Sequence, residues 1–342
     1  KFKKNYIGKK DDVIHVLRFL AAEVREHLAL LGLKSLDEAL GRTDLLEVNQ
    51  AHQGLIKRRR LDLSRILQEP AAINGNSEKD EEPINDLNLQ IVNDTREALK
   101  LHQSRDLYYQ IQTMDRAIPA TLSGLLAQRT QQERRGQDES YQGNIKLIFR
   151  GSAGQGFGVF LTQGLELHLF GEANDSVCKS MSGGKVVIRP HPEACFEAGT
   201  QSIIGNCALY GATAGTLYVN GLAGDRFCVR NSGATAVVEG TGLHCCEYMT
   251  NGMVVVLGHV SQNVGAGMTG GVLYLYGDQI QHVNTEYLEE TPMSEAQKLE
   301  LKSLLTDYHQ ETGSSKAHSI LEHWSQEVQD LHRFEPLRRF ES

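Results

Sequence analysis

Five segments decide the fold: SGGKVVI at 182–188, TAGTLYV at 213–219, NSGATAVV at 231–238, TNGMVVV at 250–256 and TGGVLYL at 269–275. Their shared glycines, Gly184, Gly215, Gly233, Gly252 and Gly271, lie 31, 18, 19 and 19 residues apart. The last three spacings define one unit, and the first is that unit with roughly a dozen residues inserted. Two and four residues beyond each glycine stand Val186/Ile188, Leu217/Val219, Thr235/Val237, Val254/Val256 and Leu273/Leu275. This alternation predicts short strands with one apolar side, and these columns are expected to face inward. Two residues before each glycine comes a polar column, Ser182, Thr213, Asn231, Thr250 and Thr269, placed to satisfy turn backbone. So short a unit cannot bury its own apolar face, whereas stacking units about 4.8 Å apart builds one continuous core. The predicted architecture is mainly β, a right-handed parallel β-helix with helical flanks. Glycine corners supply positive φ and close backbone approach, and the open ends of the helix require caps.

Composition marks the limits of this block. Of 33 glycines, 25 fall between Gly143 and Gly277, with only 7 Lys+Arg and 8 Asp+Glu beside them. The expected organisation is a helical segment over 1–50, a helical and irregular linker over 51–142, the β-helix over 143–280 and C-terminal helices packing on it over 281–342. In the first segment Val13, Leu17, Leu20, Val24, Leu28 and Leu31 recur at helical spacing after Asp11, and Gly32 supplies a stop. Ser35 and Glu38 have capping-box spacing for a second helix that Gly41 ends. Residues 68–87 hold Pro70, Asn74, Gly75 and a charged run without an apolar face, as a linker does. Helix is expected again around Ile91 to Leu101 and Leu122 to Arg129. Thr291-Pro292 is read as a helix start, and a last helix from Ser315 carries Ala317, Leu321, Trp324, Val328 and Leu331 on one face.

The net charge of −8 argues against a partner tracked by its phosphates, so no nucleic acid is expected. No stretch approaches the roughly 18 uncharged apolar residues of a membrane span, and the first residues lack the apolar core of a secretory signal. A cytoplasmic location is expected.

Several motifs look chemical. Gly265, Gly267 and Gly270 spell G-x-G-x-x-G, but a dinucleotide fingerprint must open a helix, and a strand pattern follows Gly271. Gly154, Gly156 and Gly158 form G-x-G-x-G between strand-like segments and read as a turn. The six cysteines, Cys178, Cys195, Cys207, Cys228, Cys245 and Cys246, show no C-x-x-C pair. Counted to their reference glycines, no two of Cys207, Cys228, Cys245 and Cys246 share a column, so they read as small buried hydrophobes. Lys57, Arg58, Arg59 and Arg60 read as a solvated or docking surface. Asp115-Arg116 and Asp225-Arg226 with Arg230 read as structural ion pairs, and Trp324 as an anchor against the solenoid. No catalytic, cofactor-binding or metal-ligating residue is assigned.

At these residues the sequence resembles the C-terminal part of the large subunit of glutamate synthase, whose last domain is named for its G-x-G-x-G repeats. The likeness is carried by Phe149-Arg150-Gly151-Ser152-Ala153-Gly154-Gln155, Gly171-Glu172-Ala173-Asn174-Asp175, Met181-Ser182-Gly183-Gly184 and Leu209-Tyr210-Gly211-Ala212-Thr213. It continues through Val229-Arg230-Asn231-Ser232-Gly233-Ala234, Cys246-Glu247-Tyr248-Met249-Thr250 and Gly265-Ala266-Gly267-Met268-Thr269-Gly270-Gly271. Phe19-Leu20-Ala21, Glu23-Val24-Arg25, Ser35-Leu36-Asp37-Glu38 and Gly41-Arg42-Thr43-Asp44-Leu45-Leu46 resemble the tail of that family's FMN-binding barrel. Cys178 and Ser180 stand where the family usually has glycine, Gly156 where it has serine, and Pro119 where glycine is common.

The resemblance implies a piece of an enzyme that makes glutamate from glutamine and 2-oxoglutarate with electrons from NAD(P)H or ferredoxin. It implies a non-catalytic domain bracing the amidotransferase, central and FMN-binding domains of the same enzyme. FMN and a 3Fe-4S cluster are expected in the parent enzyme, not on this chain. The alternatives are a structural β-helix module of another multisubunit oxidoreductase, such as formylmethanofuran dehydrogenase, or a stand-alone β-helix that binds a ligand.

Overall fold

The computed structural model describes residues 9–47, 49, 62–64, 66–68, 85–134 and 141–337. The cluster Lys57–Arg60 and most of the turn-rich stretch 68–87 lie outside them. Contacts divide the chain into two units, Lys1–Glu82 and Pro83–Ser342.

In the first unit, α1 (Lys10–Leu30) ends at a left-handed Gly32, and α2 (Leu36–Ala39) is capped by Ser35 Oγ, which accepts from the Glu38 amide at 3.2 Å. The apolar face of α1 buries nothing, and Val13, Val16, Leu17, Phe19 and Leu20 are exposed.

The second unit is a β-solenoid. It opens with α3 (Asp86–Lys100), β1 (Arg105–Ile111) and α4 (Ala120–Arg134). Next come β2 (Ile145–Ala153), β3 (Leu165–Ala173), β4 (Ser182–Arg189), the short β5 (Ser202–Ile204), β6 (Ala214–Ala223), β7 (Ser232–Thr241), β8 (Asn251–Val256) and β9 (Val272–Tyr276). One sheet runs β1-β2-β3-β4-β6-β7-β8-β9, every neighbour parallel, and β5 pairs with β3 and β6. It then turns antiparallel through β11 (Leu331–Pro336) to β10 (Leu288–Glu290).

Registered residues form ladders. Leu147, Leu167, Val186, Leu217, Ala236, Val254 and Leu273 make one inward column, and Phe149, Leu169, Ile188, Val219, Val238, Val256 and Leu275 the next. Every one of these side chains is sealed from solvent, so each large one contributes roughly 1.5–3 kcal/mol of apolar burial. On β7 the expectation fails by one residue: Ala236 and Val238 face the core, while Val237 faces outward. The register slips between Ser232 and Thr235, where β7 carries one residue more than β8, and a single extra residue reverses every following side chain.

The ends are closed by different means. Leu87, Ile91 and Leu99 of α3 and Leu122 and Leu126 of α4 enter the core beside Tyr109 and Ile145. At the other end the antiparallel β10–β11 pair terminates the ladder, and Leu288 packs so closely that a Cβ on Gly265 would lie 2.1 Å from its Cδ1. The sheet therefore begins before the expected boundary at 143, because β1 carries no glycine corner to mark it. The chain's described end is a strand, not the second of two closing helices.

Those C-terminal helices cover the outer face of the sheet. α5 (Glu295–Thr312) begins at a Ser294–Gln297 capping box, three residues later than Thr291-Pro292 suggested, and ends on left-handed Gly313. It buries Leu301, Leu305, Tyr308 and Thr312, one stripe at helical spacing. α6 (Ser315–Glu322) adds Ala317 and Ile320, and after a break at His323 a short α7 (Trp324–Glu327) follows. These helices pack on Val187, Tyr218, Val237, Val255 and Tyr274, with the half-buried Trp324 against the same cluster as expected.

Two glycines separate the causes of their requirement. At Gly171, φ is +152° and a Cβ would sit 1.8 Å from the Gly151 carbonyl oxygen, whereas Gly211 has φ +65° and open space around it. Gly171→Ala is expected to cost about 3 kcal/mol or more, because backbone must move, and Gly211→Ala about 1 kcal/mol, from backbone strain alone. Urea midpoints of the two variants check this, and equal losses would contradict it.

Candidate functional site

Six successive corners of the solenoid share one backbone device. Left-handed residues recur at alternate positions: Gly156/Gly158/Phe160, Ser176/Cys178/Ser180, Cys207/Leu209/Gly211, Arg226/Cys228/Arg230, His244/Cys246/Tyr248 and Asn263/Gly265/Gly267. The middle N–H donates to the preceding layer, as Cys178 to Phe157 and Cys228 to Ala208, and in the first five corners the outer two donate to the following one, as Ser176 to Asn206 and Ser180 to Tyr210. The middle residue is buried in every corner. Both G-x-G motifs are such corners, and β9, a strand, follows Gly271, so no helix meets a pyrophosphate there. Cys178 and Ser180 hold the left-handed turn that glycine usually supplies.

This geometry corrects the cysteine register. Cys228 and Cys246 share the middle column in adjacent layers, and the extra residue of β7 displaced the count to the reference glycines. The Cys245 and Cys246 sulfurs lie 3.7 Å apart, all four of Cys178, Cys228, Cys245 and Cys246 are sealed in the core, and every cysteine is free. Burial pushes the Cys178 and Cys228 thiols up, away from the reactive thiolate.

A second ladder explains Asp225. Asp175 Oδ1 accepts from the Asn206 amide at 2.7 Å, Asn206 Oδ1 from the Asp225 amide at 2.7 Å, and Asp225 Oδ1 from the Leu243 amide at 2.8 Å. Gly205, Gly224 and Gly242 leave the space, since a Cβ on each would lie 2.3, 2.4 and 2.1 Å from those oxygens. The expected Asp225-Arg226 ion pair is therefore replaced by a backbone rung. Asp115 likewise accepts from the Gln112 amide at 2.8 Å and from Asn85 Nδ2 at 3.1 Å instead of pairing with Arg116. Among the described residues no ion pair joins either dipeptide. The repeated Gly-Asn and Gly-Asp dipeptides were the legible sign of this ladder.

The densest polar chemistry lies on the outer face, where β2–β4 meet α5, and sequence reasoning missed it. Glu166 receives Lys146 Nζ at 2.9 Å and His168 Nε2 at 2.5 Å. Lys185 bonds Glu311 and lies 3.5 Å from Asp307, and Arg189 donates to the Glu311 carbonyl at 3.1 Å. Deeper, Glu239 accepts from Ser314 Oγ and from Tyr308 Oη at 3.0 Å, and burial raises its pKa. Glu166, His168 and Glu311 bring their ligating atoms within 4.8 Å of one another, but Lys146 and Lys185 already neutralise both carboxylates. The cluster ties helix to sheet.

Among the described residues no three cysteines converge as the ligand set of an iron-sulfur cluster, and side chains fill the solenoid interior. No helix among the described residues is long and apolar enough to cross a membrane.

Fold and surface together define a filled β-solenoid with glycine-type corners, helices closing one end and helices over its outer face. The family model described as the GXGXG motif matches residues 88–337, and the chain belongs to that family. It is 43% identical over 336 residues to the ferredoxin-dependent glutamate synthase 2 of Synechocystis sp., an alignment covering 95% of this chain and 21% of that protein. The chloroplastic ferredoxin-dependent glutamate synthase of Spinacia oleracea is 40% identical over 328 residues, covering 93% and 20%. The NADPH glutamate synthase large chain of Bacillus subtilis is 37% identical over 334 residues, covering 95% and 22%. The chain spans about a fifth of the length of these relatives.

The hydrogen bond from His168, then that from Lys146, outweighs burial and holds the Glu166 carboxyl at about 2, below its ordinary 4.5. A depressed carboxylate stabilises the fold above its unfolded pKa and loses that contribution as pH falls through the folded one. Stability should therefore drop between pH 4.5 and 2, and Glu166→Gln should flatten that segment of a urea-midpoint profile. An unchanged slope would contradict the pairing.

Proposed function

We propose that this chain is the β-helix domain of a glutamate synthase large polypeptide and acts as a non-catalytic brace. It holds the amidotransferase, central and FMN-binding domains at fixed separation while they turn glutamine and 2-oxoglutarate into glutamate. One observation carries the reading: an interior packed solid with aliphatic columns leaves function to the outside, and the alignments run through nearly the whole chain but only a fifth of each relative. The exposed apolar face of α1 supports it, since such a face in a longer protein is covered by a neighbouring part. FMN and a 3Fe-4S cluster belong, on this reading, to the parent enzyme. The electron donor on this reading is ferredoxin or NAD(P)H, and relatives named for ferredoxin and for NADPH align at comparable identity.

Purified alone, residues 1–342 should elute from gel filtration without a flavin absorption band and form no glutamate from glutamine and 2-oxoglutarate. Loosening the solenoid in the full-length polypeptide with Gly171→Ala should leave glutamine hydrolysis while uncoupling it from glutamate formation. A flavin band that travels with the isolated chain, or turnover by it, would overturn the brace.

A further inference from the structure

The outer face of the sheet is covered over only part of its length. One outward column runs Tyr108, Ile148, His168, Val187, Tyr218, Val237, Val255 and Tyr274 through β1 to β9. From Val187 onward it is sealed beneath α5 and α6, and His168 lies under the Glu311 end of α5. At β1 and β2 the cover stops: Tyr108 is 73% exposed against 2% for Tyr218 in the same column. A cavity of about 290 Å³ opens there, lined by Tyr108, Tyr109, Gln110, Ile148 and Arg150.

Beside it the next outward column places Gln110, Arg150, Phe170 and Arg189 in register. Both guanidinium groups lie over the Phe170 ring, at 5.9 Å for Arg150 and 4.3 Å for Arg189. Arg189 is engaged by the Glu311 carbonyl, whereas Arg150 has no carboxylate partner among the described residues. The first column therefore continues the helix-binding face onto bare sheet, and the second supplies an unneutralised cation at its rim. That pairing of an aromatic floor with a planar cation suits an apolar segment bearing a carboxylate, which Arg150 would grip in the fork geometry guanidinium favours.

We propose that the exposed face of β1 and β2, centred on Tyr108, Ile148 and Arg150, is a docking surface for an apolar, carboxylate-bearing segment from another domain of the same polypeptide. This rests on the reading of the chain as one domain of a longer glutamate synthase. It adds the face used and the chemistry of its occupant. Two observations choose that occupant over a second copy or an unrelated protein: some four fifths of each relative's length lies outside this chain, and the surface prolongs a face already occupied by helices in cis.

Photo-crosslinking in the full-length polypeptide tests it, with benzoylphenylalanine placed at Tyr108 and, as controls on the corner surface, at Phe160 and Tyr248. The Tyr108 probe should attach to a peptide from outside residues 1–342 with Asp or Glu near the attachment point. Arg150→Glu should lower that yield about fivefold or more, and reversing the identified carboxylate to Lys should restore it. Arg150 is exposed, so its variant should keep the wild-type urea midpoint and separate docking from folding. Attachment from Phe160 or Tyr248 with silence at Tyr108 overturns this surface and leaves the brace standing. Silence at all three positions overturns both, and attachment of Tyr108 to a second copy of this chain, or a yield indifferent to Arg150→Glu, overturns the proposed occupant.

Discussion

Three left-handed residues at every other position in each corner are the constraint on which the rest of the solenoid depends. Reversing φ at alternate residues turns successive amides up and down the stack, so one corner hydrogen-bonds to both neighbours at once. Thirteen of the eighteen positions are not glycine, and each such residue carries on the order of 1–2 kcal/mol of local strain. The strain persists because a relaxed corner would orphan buried amides in two layers. A G-x-G-x-G sequence is the least strained solution, but Cys178, Leu209, Cys228 and Cys246 adopt the same backbone as Gly158 and Gly265.

The same device decides which side chains reach the core at the corner. The middle residue points inward against its equivalents one layer above and below, and space there is short: a Cβ on Gly158 would already meet the Cys178 sulfur at 3.1 Å. Glycine and cysteine fill most of that column because they are small. Crowding, rather than redox or metal chemistry, accounts for thiols stacked in adjacent layers, and their loss of acidity follows from the same burial.

What the sequence could disclose follows from what repeats. The parallel stack, its inward columns on four of five strands and the role of Trp324 were legible because apolar alternation and glycine recur at one period. The bulge in β7 was not, since one inserted residue leaves the glycine spacing at 18 and 19 while reversing Thr235 and Val237. β1 and the β10–β11 pair escaped because end layers need caps rather than corners. The Glu166–His168–Glu311 cluster escaped for a different reason: its members lie on β3 and α5, brought together only by the packing of a helix whose own stripe, Leu301, Leu305 and Tyr308, reads as ordinary core.

The outer face shows how one column changes character along a regular stack. Where helices cover it, its members are Val187, Tyr218, Val237, Val255 and Tyr274; where cover ends, His168 meets Glu166 and Glu311, and beyond that Ile148 and Tyr108 stand with Arg150 near water. Backbone geometry is the same throughout, so the difference lies in what each stretch packs against. A half-buried ion cluster at the border costs some desolvation that apolar residues would avoid, and it stabilises only while every charge keeps its partner. Its position at the edge of the helical cover is consistent with fixing where α5 stops: Lys185 and Arg189 hold the end of α5 at Glu311, and the helix cannot slide toward β1 without leaving them unpaired. The bare stretch is then held open by the same ion pairs that secure the covered one.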